Sequence, residues 1–165
     1  AFGADHAGFE LKTLLAARAA ELGHEVIDLG TSSTASVDYP DFGYAVAEAV
    51  ASGRADRGVV VCGTGIGISI AANRVRGARA GVATDLFSAQ LMREHNDANV
   101  LGLGARVTAV PLAMAILETF LVFAQSPGIQ GLSARTLRAL WRGLTKSNPE
   151  IAALRPMMKI GARSI

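Results

Sequence analysis

The chain has 165 residues, a formal net charge of +2 and a single cysteine, Cys62. This length suits one domain, and a single cysteine excludes an internal disulfide framework and favours a reducing compartment. No apolar run approaches the ~20 residues of a membrane span, and no signal peptide is visible, so we expect a cytoplasmic protein with no membrane partner.

Basic residues are concentrated at the C-terminal end of the chain. From Leu132 onward, seven basic residues and one acidic residue give +6, so the rest of the chain carries −4. Apart from Trp141, no aromatic side chain interleaves this stretch, as nucleic-acid binding would favour. We therefore expect a solvated or phosphate-facing tail over residues 145–165, a single domain over residues 1–144 and no nucleic-acid partner.

Short apolar runs alternate with helical patterns along the chain. The apolar runs predict strands at residues 2–4, 26–29, 59–62, 80–83 and 99–103. The helical patterns predict helices at residues 7–22, 40–50, 66–75, 85–94, 110–124 and 132–144. Strands that alternate with helices indicate a parallel sheet. The predicted fold is therefore α/β, a three-layer α/β/α, doubly wound, five-stranded parallel sheet of Rossmann-like type.

For three helices the sequence also predicts which residues are buried, which residue caps the helix, or which surface the helix contacts. In the first helix the apolar stripe is expected to consist of Leu11, Leu14, Leu15 and Leu22. Thr84 is in position to cap the helix at residues 85–94. The helix at residues 110–124 is apolar nearly all round, interrupted only by Glu118 and Thr119, which predicts burial on all sides and a subunit interface.

The central strand ends at Cys62 and is followed by a glycine-rich turn and a helix. Glycines in such a turn let backbone N–H groups approach a ligand, and a helix N-terminus adds partial positive charge. This arrangement suits an anion and would lower the pKa of the Cys62 thiol. The alternative, that Cys62 is a small core residue, is equally consistent with this stretch alone.

Other polar residues follow the neighbouring strands. In doubly wound sheets, ligands bind beyond the carboxyl ends of the strands, where Asp5, His6, Thr84, Asp85 and Arg106 are expected. Arg106 would suit an anionic substrate or be a solvated surface charge. Asp5 and His6 could equally form a turn. His95 lies close to a helix C-terminus, which favours the imidazolium ion. It is either a functional residue or a simple helix cap.

Several cofactor classes find no support in the sequence. His6, His95 and Cys62 lack the close spacing of zinc ligands, so no metal site is expected. The run Gly63–Gly67 resembles a dinucleotide fingerprint, but it follows the third predicted strand rather than the first. A P-loop is excluded because no Gly-Lys-Ser/Thr sequence occurs.

Seven ordered motifs resemble those of the type B ribose-5-phosphate isomerases, a family that includes the galactose-6-phosphate isomerase subunits. The likeness extends from residue 1 to about residue 124. The motifs are Gly3-Ala4-Asp5-His6-Ala7-Gly8, Asp38-Tyr39-Pro40, Cys62-Gly63-Thr64-Gly65-Ile66-Gly67, Ile70-Ala71-Ala72-Asn73, Ser88-Ala89-Gln90, His95-Asn96-Asp97 and Gly104-Ala105-Arg106-Val107.

This resemblance implies a cofactor-independent interconversion of ribose 5-phosphate and ribulose 5-phosphate. Cys62 matches the family's base, His95 the acid that assists ring opening, and Thr64 a helper near the ring oxygen. Arg106 matches a phosphate ligand. The remaining matched positions contact substrate or hold the developing enediolate: Asp5, His6, Asn96, Gly63, Gly65, Ile66 and Gly67. Some relatives use a glutamate where this chain has Ile68, so its apolar side chain favours the cysteine type.

The C-terminal region departs from the family pattern. The family carries a Gly-Arg-His-x-x-Arg segment whose arginines bind phosphate, often across a dimer interface. No residue here matches it cleanly, and the candidates are Arg135, Arg138 and Arg142, of which the last two share one helical face if helical.

Three functions remain open at this point. The first is an isomerase of ribose 5-phosphate, or of a hexose 6-phosphate such as allose or galactose 6-phosphate, acting as a homodimer or dimer of dimers with shared active sites. The second is a non-catalytic sugar-phosphate-binding subunit. The third is a dinucleotide-binding module.

Overall fold

The structure, a computed structural model, describes residues 1–122. The helix predicted at residues 132–144 and the boundary between domain and tail lie outside the described residues. In chain order the elements are β1 (Phe2–Ala4), α1 (Phe9–Glu21), α2 (Tyr39–Ala51), β2 (Gly58–Cys62), α3 (Ile66–Ala72), β3 (Ala80–Val82), α4 (Leu86–Glu94), β4 (Val100–Gly104) and α5 (Val110–Val122).

The strands form one parallel sheet in the order β1-β2-β4-β3. β2 lies at its centre and is buried along its whole length, as its run of β-branched residues predicts. It pairs with β4 from Gly58 opposite Val100 to Cys62 opposite Gly104. The carboxyl ends of these two strands therefore meet at the same edge of the sheet.

The helices fall into two groups. α2 packs against α3, whereas α5 packs against α1 and α4. The two groups flank the sheet, and fully buried side chains from each layer fill the space between them, among them Leu15, Val46, Val60, Ile68, Leu103, Ile116 and Phe120. The predicted three-layer, doubly wound α/β fold is confirmed.

The segment at residues 26–29 differs from its prediction as a strand. It makes a single parallel bridge, between Phe2 and Asp28, so the described sheet has four strands rather than five. The Asp28 carboxylate accepts hydrogen bonds from Lys12 Nζ and from the N–H of Gly30. The backbone stays hydrogen-bonded to β1 past the bridge, since the carbonyl of Gly30 accepts the N–H of Ala4 and the N–H of Thr31 donates to the carbonyl of Ala4. Gly30 has φ +101°, which interrupts the extended conformation of this segment.

The buried face of α1 also differs from the predicted stripe. Leu14 is 45% exposed and Leu22 41% exposed, whereas Lys12 is only 1% exposed. Leu11 and Leu15 are buried as predicted. The Lys12 ammonium reaches Asp28 at 2.6 Å and the carbonyl of Thr31 at 2.9 Å, which compensates the burial of its charge.

The N-cap of α4 is Asp85 rather than the predicted Thr84. Its Oδ1 accepts a hydrogen bond from the N–H of Ser88 at 2.8 Å. A carboxylate in this position satisfies a free backbone donor, as a threonine would, and also adds a favourable negative charge at the helix N-terminus, which a threonine lacks.

Helix α5 is buried within the chain itself. Ile116, Leu117 and Phe120 are fully buried where α5 packs against α1, α4 and β4. Arg18 Nε donates to Glu118 at 2.7 Å, and this hydrogen bond raises the pKa of Arg18. Packing inside one chain thus accounts for the apolar composition of α5, and a subunit interface there stays a prediction. No helix of the described part is long and apolar enough to cross a membrane.

Candidate active site

Cys62 ends β2 at the carboxyl edge of the sheet and is 5% exposed. Its Sγ accepts a hydrogen bond from the N–H of Gly65 at 3.1 Å. Burial alone would fit a core cysteine, and Cys62 does share a core cluster with Ile68. The backbone donor aimed at the sulfur is the feature that a base would use, because an N–H group is complementary to a thiolate.

Residues 63–65 form the turn between Cys62 and α3. Gly65 has φ +79°, a left-handed conformation that brings its N–H back toward the sulfur. Thr64 is exposed, and its Oγ1 accepts the N–H of Ile66 at 3.3 Å. Helix α3 has seven residues rather than the ten predicted, so the loop amides rather than a long helix dipole are the main donors here.

The segment after β1 lies beside this turn. The N–H of Asp5 donates to the carbonyl of Val61, and the Asp5 carboxylate accepts the N–H of Gly8 at 2.9 Å. Asp5 is buried, and His6 is half-buried with Nδ1 3.2 Å from the backbone of Val37. The sequence thus predicts correctly that Asp5 and His6 lie next to the end of β2.

The loop after β4 closes the other side. The N–H of Arg106 donates to the carbonyl of Gly63 at 3.0 Å, and that of Ala105 donates to the carbonyl of Cys62 at 2.8 Å. The Arg106 side chain lies over Gly63, since a methyl group built on that glycine would be 3.4 Å from Arg106 Cδ. Arg106 is exposed, so its guanidinium is accessible to an anion above the turn.

Tyr39 is a residue of this edge to which the sequence assigned no role. Its ring lies beside Gly67, because a methyl group built there would be 2.9 Å from Tyr39 Cζ. The signal was present in the Asp38-Tyr39-Pro40 motif. The side chain is 41% exposed and lines the glycine-rich turn.

His95 and Asn96 lie elsewhere. His95 is the C-cap of α4, and both residues precede the first residue of β4, Val100. Val100 pairs with Gly58 and Ala80 at the amino edge of the sheet, whereas Cys62 pairs with Gly104 at the carboxyl edge. Along β4 the two edges are about 13 Å apart, so the chain does not bring His95 and Asn96 to the Cys62 turn.

The predicted C-terminal phosphate ligands and a metal site complete the comparison with the sequence. Arg135, Arg138 and Arg142 lie outside the described residues. Among the described residues no group of three or more metal-ligating side chains forms a potential metal site.

Comparison with known proteins identifies the family. The family model described as Ribose/Galactose Isomerase matches residues 1–133. A second model, described as the uridylyltransferase GlnD third domain, matches residues 111–159, which lie mostly outside the described residues.

Individual proteins agree with the first match. Ribose-5-phosphate isomerase B of Escherichia coli is 52% identical over 121 residues, which is 73% of this chain and 81% of that protein. The structure of Clostridium thermocellum ribose-5-phosphate isomerase B is 57% identical with a TM-score of 0.72, covering 73% of this chain and 81% of the other.

A third relative has a ligand in its structure. Ribose-5-phosphate isomerase B of Mycoplasma genitalium with bound ribulose-5-phosphate is 31% identical with a TM-score of 0.71, covering 88% of this chain and 93% of the other. The sequence motifs, the fold and these three proteins lead to one conclusion: this chain belongs to the ribose/galactose isomerase family.

Proposed function

We propose that the chain interconverts ribose 5-phosphate and ribulose 5-phosphate, with Cys62 as the base. The observation that carries this proposal is the Gly65 N–H donated to Cys62 Sγ at the carboxyl edge of the central strand. The names of the relatives supply the substrate pair. Aldose and ketose are isomers, so the reaction is redox-neutral and proton transfer is sufficient for it.

The chemistry has two stages. Ring opening moves a proton from the anomeric hydroxyl and delivers one to the ring oxygen, the step assigned to His95 with help from Thr64. The Cys62 thiolate then takes the proton from C2 of the open aldose. The resulting enediolate receives that proton at C1, and transfer of a hydroxyl proton between O1 and O2 completes the ketose.

The groups around Cys62 suit the charges that form. Amides of the turn Gly63–Gly67 are assigned to the developing enediolate, where preorganised donors are most effective. Arg106, held over Gly63, is assigned to the phosphate. Asp5 and His6 are assigned to the sugar hydroxyls. Arg135, Arg138 and Arg142 remain candidates for further phosphate contacts.

A second copy of the chain is part of this proposal. One copy keeps His95 and Asn96 at the sheet edge opposite Cys62, so they can act on the same sugar only if another copy supplies them. Apolar side chains at or near the Cys62 edge are exposed, which suits coverage by a partner: Ile66 56%, Ile70 61%, Val107 64% and Val110 42%. We therefore infer a homodimer, or a dimer of dimers, with shared active sites.

The compartment follows from the same assignment. Cys62 can act as a base only as a reduced thiol, and the chain has no second cysteine with which it could form an internal disulfide. A reducing compartment such as the cytoplasm supports that state.

The test is a coupled assay of the full chain with ribose 5-phosphate, allose 6-phosphate and galactose 6-phosphate. We expect ribose 5-phosphate to be turned over fastest. Cys62→Ala should lose at least about a hundredfold in kcat, the usual scale for a positioned base, while a cooperative thermal unfolding curve shows that the variant still folds.

Three results would change the assignment. Native turnover by Cys62→Ala would show that another group is the base. Binding of ribose 5-phosphate by calorimetry, with no turnover of any of the three sugars, would favour the non-catalytic subunit instead. Faster turnover of a hexose phosphate would select the alternative substrate, and the family description names one hexose, galactose.

A further inference from the structure

The turn that carries His95 and Asn96 is exposed. Residues 94–97 are all exposed, and the N–H of Ala98 donates to the carbonyl of Met92 to close the turn. Asp97 has φ +45°, a left-handed conformation that few residues other than glycine adopt. An imidazole that must meet a sugar needs a more rigid support than an exposed turn offers by itself.

Arg93 supports this turn from inside. Its Nη1 donates to the carbonyl of Ala98 and lies 3.4 Å from Asp97 Oδ1. The guanidinium is buried and stacks 5.7 Å from the centre of the Phe120 ring. Burial lowers the pKa of Arg93, and the nearby charge of Arg57 adds to that effect. A buried charge is costly, so its hydrogen bonds to the turn are its main compensation.

Arg79 supports the same turn from outside. Its Nε donates to the carbonyl of Asp97 at 2.7 Å and its Nη2 to Asp97 Oδ2 at 2.8 Å. The backbone N–H of Arg79 donates to Asn99 Oδ1 at 2.8 Å, which fixes the segment before β3 against the start of β4. The two oxygens of Asp97 are thus divided between two arginines from different elements.

We propose that Asp97, held by Arg79 and Arg93, is the positioning residue for His95. Asp97 is 75% exposed at its side chain, and an exposed ion pair contributes little to stability. Bonds to both its carboxylate oxygens and to its carbonyl instead define the path of the backbone two residues after His95. This inference rests on the proposed function, because it assigns a purpose to the geometry of the ring-opening acid.

The main variant is Asp97→Gly, which removes the carboxylate and keeps the positive φ without strain. We expect kcat for ribose 5-phosphate to fall about tenfold, with KM within about twofold. In a His95→Ala background, Asp97→Gly should lower kcat by less than about twofold further, since the group it positions is already absent.

A second measurement separates ring opening from the proton transfer by Cys62. Ribulose 5-phosphate is acyclic, so exchange of its C1 proton with solvent deuterium needs the base and not the ring-opening acid. We expect Asp97→Gly to keep native exchange. Arg79→Ala removes only the hydrogen bonds that reach Asp97 from the solvent side, so it should reproduce part of the kcat loss. Arg76→Ala, an exposed arginine three residues away, is the matched control and should match the native chain.

The outcomes are distinct. An undiminished loss from Asp97→Gly in the His95→Ala background, or exchange that falls together with isomerisation, would overturn the positioning role. Native activity in His95→Ala would also overturn it. A native chain that isomerises no sugar phosphate would overturn the proposed function, a result visible before any variant is made.

Discussion

At the scale of single residues, Gly65 links the backbone of the turn to the sulfur. Its N–H can reach Cys62 Sγ because φ is +79° at this position. It also lies against β4, since a methyl group built there would be 2.8 Å from the carbonyl carbon of Leu103. Gly65 therefore faces two separate restrictions, one on conformation and one on space.

Gly65→Ala is expected to be strongly destabilising. The left-handed conformation costs about 1–2 kcal/mol for a residue with a Cβ, and overpacking against β4 adds about 1–3 kcal/mol. The amide should also be displaced from the sulfur, which lowers kcat. Urea unfolding and the isomerase assay measure the two effects.

Gly53→Ala separates the two restrictions. Gly53 has φ +76°, but a methyl group built there would have no atom within 4 Å. Only the conformational cost of about 1–2 kcal/mol should appear, with native kcat. Equal losses of stability in the two variants would mean that contact with β4 is unimportant at Gly65.

At the scale of elements, Lys12 joins α1 to the segment after residue 26. Its ammonium contacts both oxygens of Asp28, at 2.6 and 2.7 Å, and the carbonyl of Thr31. The N–H of Thr31 in turn donates to the carbonyl of Ala4, directly before Asp5. A buried charge in α1 thereby holds the chain next to the carboxyl end of β1.

The two ends of this ion pair should respond differently to substitution. Asp28→Ala leaves the Lys12 charge buried with one carbonyl partner, so we expect a loss of about 2–3 kcal/mol. Lys12→Met removes the buried charge, and the exposed Asp28 carboxylate can be hydrated, so the loss should be within about 1 kcal/mol. Urea unfolding of both variants measures this difference.

The reverse order would refute the explanation. If Lys12→Met proved more destabilising than Asp28→Ala, the ammonium would be contributing more than its own desolvation cost. Glu48→Ala, an exposed acid on α2, serves as the control for removal of a surface carboxylate.

The sequence predicted the secondary-structure elements better than it predicted the contacts between side chains. The β-branched run 59–62 and the alternation of apolar runs with helices were sufficient to predict a parallel sheet with a buried central strand. The reason is that the pattern of apolar residues follows directly from which residues are buried. They could not reveal that Lys12 is buried, since this depends on Asp28 folding over it from 16 residues away. Likewise the run 26–29 has strand composition, but the positive φ of Gly30 interrupts the extended backbone, so the segment forms one bridge and further hydrogen bonds to β1 without becoming a regular strand.

The candidate site also has residues that the sequence predicts and residues that it does not. Cys62, Asp5, His6 and Arg106 meet because each follows a parallel strand, and chain order alone predicts that. The arginines around Asp97 left no sequence signal, because their role depends on the path of the turn. The role of His95 was assigned from a motif, although its place between a helix and the next strand already predicts the amino edge of the sheet.

At the scale of the whole molecule, the two edges of the sheet carry different parts of the proposed site. Cys62 and Arg106 lie at the carboxyl edge, and His95 lies at the amino edge. If a complete site combines opposite edges of two copies, each copy contributes to two sites. Such a two-fold arrangement makes a strict prediction about mixed oligomers.

Two inactive variants should restore activity when combined. In a heterodimer of Cys62→Ala and His95→Ala, one site carries both substitutions and the other carries neither. Tandem purification through both tags keeps only heterodimers, so about half of the sites should be native. Co-expression with two different tags, tandem purification and the isomerase assay would measure the recovered kcat, with each parent alone as the baseline.

Cys62→Ala combined with Arg106→Ala is the matched control, because both positions belong to the same edge of one copy. Every site in that heterodimer lacks one of the two groups, so no recovery is expected even though the dimer forms equally well. Recovery in this control would mean that Arg106 acts across the interface. Absence of recovery with Cys62→Ala and His95→Ala, in a heterodimer verified by its two tags, would place the whole reaction within one copy and remove His95 from it, because the fold of a single chain keeps these residues at opposite edges.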